Sequence, residues 1–176
     1  MVAEHAVFAY GSLNHPAAAW AQLAGWRRSW TVCTDNTDLS RAVAYYRPGT
    51  LERFDGQILF LGIDRAPGST VRGRLLPVSP DELAELDARE GNYERVDVTA
   101  GLDLPHGRTT VWSYVGKASA VRAARRGLAR GTAVVWRAYL DRLRELSVDE
   151  PLPPHVPVVD LDRRLHGERT DPYGNA

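Results

Sequence analysis

Leu83-Ala84-Glu85-Leu86-Asp87-Ala88-Arg89-Glu90-Gly91-Asn92-Tyr93-Glu94-Arg95-Val96 begins as a helix and ends as a strand. Ser79 and Pro80 open the helix, and Asp81 and Glu82 place negative charge on the free amides of its first turn. Leu83 and Leu86, three apart, mark the face to be buried. Gly91 is expected as the C-terminal cap, after which Tyr93, Val96 and Val98 start a strand. Glu90 is then the last helical residue, about two turns past Leu83 on the same side. There the helix dipole disfavours a carboxylate. A solvated surface glutamate is the ordinary reading of such a residue.

Moving back from the helix, Thr70–Val78 reads as a strand, Asp64–Ser69 as a turn carrying Pro67-Gly68, and Gln57–Ile63 as a buried strand. Ala42–Tyr46 and Trp26–Thr34 are further strands separated by a polar turn from Asp35 to Arg41. Pro16 is expected to open a helix through Ala24, with Trp20 and Leu23 on one face and Gly25 closing it. Ala6–Tyr10 is a short apolar strand that stops at Gly11-Ser12. Moving forward, Tyr93–Thr99 and Thr109–Val115 form a hairpin joined by the Gly101–Gly107 loop. From Ala118 the pattern is helical, and Arg122, Arg125, Arg126 and Arg130 read as a solvated face. Thr132 is expected to cap a last helix with Val135, Tyr139, Leu143 and Leu146 on one stripe. Pro151, Pro153, Pro154 and Pro157 rule out a helix beyond Asp149. Residues 1–148 thus read as one domain and 149–176 as a Pro-rich tail, ordered in part at most. Strands first, one helix between strands and helices last give an α+β arrangement, with strands enough to curl into a small barrel.

Composition narrows the function classes. The 176 residues carry 22 basic and 22 acidic side chains, so global charge points to neither nucleic acid nor an anionic membrane. The single cysteine, Cys33, excludes an internal disulfide framework and a Cys-x-x-Cys pair. With no leader pattern and no apolar run long enough to span a bilayer, a cytoplasmic protein is expected. His5, His15, His106, His155 and His166 are scattered, so no metal site is expected. Ser12 is in no Gly-x-Ser-x-Gly elbow, and Cys33 has no evident activating partner. No further glycines follow Gly11-Ser12 to make a nucleotide-binding loop. What remains is a lone carboxylate, Glu90, and the turn Tyr10-Gly11-Ser12-Leu13. In that turn Gly11 permits an unusual backbone angle and close approach by a ligand. The amides of Gly11, Ser12 and Leu13 are free to meet an anion or a developing oxyanion. A plain serine-capped turn is the alternative.

Taken together, Tyr10-Gly11-Ser12-Leu13, Val71-x-Gly73-x-Leu75 and Leu86-Asp87-x-x-Glu90-Gly91-x-Tyr93-x-Arg95-Val96 resemble the γ-glutamylcyclotransferase superfamily, which includes ChaC-type, AIG2-like and BtrG-like proteins. Gly25-Trp26-Arg27-Arg28 and Tyr139-Leu140-x-x-Leu143 are similar to the ChaC branch; Ala9 and the Asp35–Thr50 stretch are not. The resemblance implies a small mixed β-barrel flanked by helices. It puts the catalytic carboxylate on Glu90, the glutamyl-binding turn on Tyr10 to Leu13, and pocket tyrosines on Tyr114 and Tyr93. The implied reaction is attack of a γ-glutamyl compound's own α-amine on its γ-carbonyl, releasing 5-oxoproline and an amine or peptide. It needs a small-molecule substrate and no cofactor, and Glu90 serves as general acid and base. Arg27, Arg28 and the Asp35–Thr50 loop are candidates for the pocket mouth. The competing readings are a non-catalytic binding domain of the same fold, a Ser12 amidase or esterase, and an interaction module using the Arg-rich helix and Pro-rich tail.

Overall fold

A computed structural model describes residues 4–104 and 109–165. The apolar run at Gln57–Ile63 continues into one long strand, β4 (Gln57–Val78), antiparallel to β2 (Ala19–Asp35). The expected Asp64–Ser69 turn is therefore not a chain reversal. β4 advances from Arg65 to Thr70 while β2 advances only from Trp26 to Ala24. The surplus residues bulge, with Gly68 at φ +82° and Gly25 opposite at φ +81°, and the ribbon bends and carries on. Pro-Gly made a local kink; the apolar residues on either side kept their partner.

The expected Pro16–Ala24 helix is overturned for the same reason. Pro16–Ala18 is a turn and the strand begins at Ala19. Ala21 and Leu23 face inward while Trp20, Gln22 and Ala24 face out, a two-residue alternation that the alanines disguised. Trp20 is 41% exposed and lies between the guanidiniums of Arg72 and Arg74, 4.0 and 3.9 Å from its ring centre. Pairing with β4 outweighs the helical propensity of an alanine run.

On its other edge β4 meets β1 (His5–Ala9), antiparallel, and β7 (Ala133–Trp136), parallel. β1 lies parallel to β6 (Thr110–Gly116), which pairs antiparallel with β5 (Tyr93–Asp97). A bridge between Leu23 and Leu102 joins β2 to the chain just past β5, closing the ring β2-β4-β1-β6-β5. Phe8, Leu23, Ile63, Val71 and Val111 fill it. This is the mixed α+β architecture expected.

The helices cover the sheet. α1 (Pro80–Arg89) carries a reciprocal cap between Ser79 and Glu82 and buries Leu83 against Val7 and Tyr114. It ends one residue earlier than expected. Glu90 is the cap residue, its N–H on the Leu86 carbonyl, and Gly91 does not adopt a left-handed conformation. α2 (Ala118–Arg130) buries Ala120, Ala123, Ala124 and Gly127 and leaves its arginines outward, Arg126 pairing with Asp35 at 3.2 Å. The expected cap at Thr132 is also corrected. Val134 and Val135 belong to β7, and α3 (Arg137–Glu145) starts only after Trp136. β-branched residues beside an open strand edge extend rather than coil, and the Thr132 hydroxyl is spent on the Gln57 side chain at 2.6 Å.

Past Asp149 the chain returns to the body. β8 (Val158–Val159) pairs with β7, and β9 (Asp162–Leu165) pairs with β3 (Val43–Tyr46). Arg28 donates to the Asp149 carbonyl at 2.9 Å and pairs with Glu150 at 3.1 Å. His106 and His166, the tip of the Gly101–Gly107 loop and the final polar residues lie outside the described residues. No described helix is long and apolar enough to cross a membrane.

Candidate active site

Four elements deliver the expected site residues to one place. β1 runs out at Tyr10 into the Gly11–Leu13 turn, which closes with the Asn14 N–H on the Gly11 carbonyl at 3.1 Å. The end of α1 supplies Glu90, the first residue of β5 is Tyr93, and β6 contributes Tyr114. All seven line a single open pocket of about 330 Å³, counting its mouth. The Glu90 side chain is 18% exposed, so it faces the pocket rather than bulk water. Tyr139 of α3 lines the same pocket and was read in the sequence only as core. The available signal was its hydroxyl: a tyrosine on a buried stripe needs a partner for its O–H.

The wall is made of phenols fixed to the backbone. Tyr10 donates to the Tyr114 carbonyl at 2.6 Å and Tyr93 to the Leu61 carbonyl at 2.8 Å. The Leu61 amide donates to the Tyr139 hydroxyl at 3.3 Å. Tyr114 donates to Asp87 at 2.9 Å, and Asp87 pairs with Arg95 at 2.9 Å. Burial pushes the pKa of Tyr10, Tyr93 and Tyr139 above the usual phenol range, and negative charge on Glu90 pushes the same way. Burial and then the hydrogen bond to Asp87 raise Tyr114. Near neutral pH these four are uncharged donors, and Glu90 is the one carboxyl group in the lining.

At the turn, the amides of Gly11, Ser12 and Leu13 have no acceptor among the described residues. Gly11 does not take the unusual backbone angle expected of it. A Cβ there would meet the Tyr139 hydroxyl at 3.5 Å and the Leu61 Cβ at 3.9 Å, ordinary contacts with two pocket residues. The missing side chain thus leaves room in the pocket rather than freedom in the backbone. Arg28 holds the turn from behind, donating to the Tyr10 carbonyl at 3.0 Å.

A broader cleft adjoins the pocket and shares Ser12, Glu90, Tyr93 and Tyr139 with it. The Asp35–Thr50 loop lines this cleft through Asp38, Ser40 and Arg41, as expected of a mouth, whereas Arg27 and Arg28 line neither cavity. Arg163 of β9 also reaches it, a residue that the sequence reading did not single out. Arg89 supplies a counter-charge to Glu90 at 3.2 Å. Cys33 is buried away from both cavities, and burial pushes its thiol up to about 12. Among the described residues, no group of three or more His, Cys, Asp or Glu gathers as metal ligands.

The arrangement can bind a small molecule with an anionic end at the turn amides, hold it against an uncharged phenol wall and move a proton at one carboxylate. The family model described as gamma-glutamyl cyclotransferase, AIG2-like, matches residues 7–138. No curated protein matches the chain. Among solved structures, one titled gamma-glutamyl cyclotransferase is 20% identical, with 84% of this chain and 88% of that chain covered and a TM-score of 0.41. The Arabidopsis thaliana protein At5g39720.1 is 26% identical over 66% of this chain and 70% of its own, at a TM-score of 0.38. Bacillus subtilis YkqA is 16% identical over 84% of this chain and 55% of its own, at 0.43.

Proposed function

We propose that this chain, which belongs to the gamma-glutamyl cyclotransferase, AIG2-like family, converts a γ-glutamyl compound into 5-oxoproline and a free amine, with Glu90 carrying the protons. The observation that supports this most is the pairing of a single sheltered carboxyl group with three unengaged amides across a neutral pocket.

The substrate holds its own nucleophile. Folding the glutamyl chain brings the α-nitrogen onto the γ-carbonyl carbon, and oriented reactions of this kind reach effective molarities of order 10⁵ M or more. The α-amine, with a pKa of roughly 8, arrives as an ammonium. Glu90 takes a proton from it, and the freed lone pair forms the new C–N bond while the carbonyl electrons move onto oxygen. The N–H groups of Gly11 to Leu13 offer donors to the substrate's anionic oxygens, the α-carboxylate or the developing oxyanion. On collapse the carbonyl re-forms, the old amide C–N bond breaks, and Glu90 returns a proton to the departing nitrogen. Across the reaction the α-nitrogen goes from ammonium to lactam N–H and the leaving nitrogen from amide N–H to ammonium. Two protons are passed on and none is gained or lost. The phenols of Tyr10, Tyr93, Tyr114 and Tyr139 keep the cavity shaped and neutral, so that the charges being moved are Glu90's and the substrate's.

The test is a panel of γ-glutamyl compounds scored by mass spectrometry for 5-oxoproline, run on the wild type and on Glu90→Gln. Release by the wild type and a fall in kcat of about 10²–10⁴ in the folded variant are expected. Equal turnover by the two would remove Glu90 from the mechanism. Binding of a γ-glutamyl analogue with no product from any compound would leave only a binding domain.

A further inference from the structure

The outer cleft is where the departing half of the substrate has to go. It meets the inner pocket at Ser12, Glu90, Tyr93 and Tyr139. A glutamyl group folded into the pocket therefore presents its scissile bond at that junction and its amine half to the cleft. Resting on the cyclotransferase reading above, we propose that the cleft is a subsite for a carboxylate on that amine half, held by Arg41 and Arg163. The substrates are then γ-glutamyl amino acids or short γ-glutamyl peptides rather than γ-glutamyl derivatives of simple amines.

Arg41 is built to receive an anion. Its Nη1 donates to the Asn92 side-chain oxygen at 2.7 Å, and the Asn92 amide in turn donates to the Thr34 hydroxyl at 2.9 Å. A neutral chain thus fixes the guanidinium in place without cancelling its charge. The Arg41 Nε is buried with no hydrogen-bond partner. Among the described residues the one carboxylate that pairs with Arg41 is Asp38, whose Oδ2 lies 3.9 Å from the Nε, a long ion pair and no hydrogen bond. The other Asp38 oxygen is occupied by the Ser40 amide and hydroxyl at 3.0 and 2.6 Å. A buried donor left in this state is costly, and a ligand carboxylate is the group whose two oxygens match a guanidinium.

The other charges of the cleft agree. Arg89 is engaged by Glu90 at 3.2 Å. Arg163 is exposed, has no carboxylate partner among the described residues, and lies by the Tyr45 hydroxyl. Phe60, Val43 and Trp136 give an apolar wall beside these cations, where an amino-acid side chain fits. A simple amine half would leave the Arg41 Nε unsatisfied, and a diamine would add a second cation facing the first.

The experiment compares γ-glutamyl-leucine, its C-terminal amide and γ-glutamyl-isopentylamine, which keeps the alkyl chain and lacks the carboxylate. Release of 5-oxoproline is followed in the wild type, Arg41→Gln, Arg41→Lys and Arg163→Gln, with melting curves to establish folding. In the wild type kcat/KM for the acid is expected to exceed that for the amide by about tenfold or more, chiefly through KM. Arg41→Gln should bring that ratio towards one, Arg41→Lys should restore part of it, and Arg163→Gln should lower it less. Equal kcat/KM for acid and amide in the wild type overturns the carboxylate subsite and leaves the cyclotransferase standing. No 5-oxoproline from any of the three overturns both. Should Arg41→Gln fail to fold, the wild-type ratio and Arg163→Gln decide the matter by themselves.

Discussion

The two cavities that meet at Glu90 are made of opposite materials. The inner one is walled by phenols whose hydroxyls are tied to backbone groups or to a carboxylate of α1. The outer one is walled by guanidiniums on a loop, a helix end and an edge strand. A group tied to the barrel's ladders moves only if the barrel moves; in the cleft Arg41 is held by Asn92, whereas the exposed side chains of Arg89 and Arg163 can be re-aimed at little cost. The difference matches the two halves of the proposed substrate. The glutamyl half is common to every compound in the class and meets the rigid wall. The amine half varies and meets the adaptable one.

The contrast can be broken most forcefully at the carboxylate where the cavities join. Glu90→Asp keeps the charge and retracts the carboxyl group by one methylene. If the inner wall holds the substrate rigidly, nothing follows the carboxyl group back. A displacement of about 1 Å from productive geometry then costs on the order of 10² in kcat, read as 5-oxoproline release with KM little changed. Retention of most of the wild-type kcat would mean that the pocket adjusts to the base, and the proposed division between rigid and adaptable walls would fail.

A smaller effect is expected from Gly11→Ala. The backbone there accepts any residue, and the new methyl would make only ordinary contacts at 3.5 and 3.9 Å. The fold should therefore keep its melting temperature. The methyl would take space proposed for the glutamyl half, and overfilling of a packed site costs about 1–3 kcal/mol. KM should rise by about fivefold to a hundredfold. An unchanged KM would show that the substrate does not pass over Gly11.

These tests concern the region that the sequence revealed best. Tyr10, Glu90, Tyr93 and Tyr114 could be named because the motifs around them resemble a known family; local signals (a strand stopped by glycine, a capped helix, a strand behind it) gave only the elements that carry them. The capping box at Ser79 and Glu82 determines where α1 starts, and its period then carries Glu90 to the pocket. The outer cleft was mostly hidden. Arg163 reaches it through pairing of β9 with β3, across more than a hundred residues of sequence, and no local pattern announces such a contact. The misread Pro16–Ala24 segment and Thr132 share that cause. In both places long-range pairing with β4 outweighs a local helical signal. Tyr139 was visible as an apolar position, but the destination of its hydroxyl was not.

The phenol wall makes its own prediction in alkali. Five of the seven tyrosines, Tyr10, Tyr45, Tyr93, Tyr114 and Tyr139, have pKa values raised by burial. A phenol whose folded pKa lies above its unfolded value of about 10 stabilises the native state fully below pH 10. That stabilisation is lost as the pH climbs towards the folded value. Phenolate absorbance near 295 nm should therefore show these five tyrosines titrating only above pH 10, together with unfolding. Titration of these five near pH 10 in a folded protein would mean that the wall is wet, and the contrast with the cleft would disappear.

The smallest effect belongs to the residue that touches Glu90 from the outer side. Arg89 lies 3.2 Å from Glu90, but its side chain is 60% exposed while that of Glu90 is only 18% exposed. Exposed pairs of this kind contribute about 0–1 kcal/mol and weaken with salt. Arg89→Gln should therefore change kcat by about fivefold at most, and the difference from the wild type should shrink as ionic strength rises. Arg41, with a buried donor and no salt-accessible partner of comparable closeness, should show a larger and less salt-sensitive effect on KM for the acid substrate. If the two arginines instead respond alike to substitution and to salt, the cleft acts as a diffuse positive field and not as a built subsite. The assignment of Arg41 as the residue that selects a carboxylate would then be withdrawn.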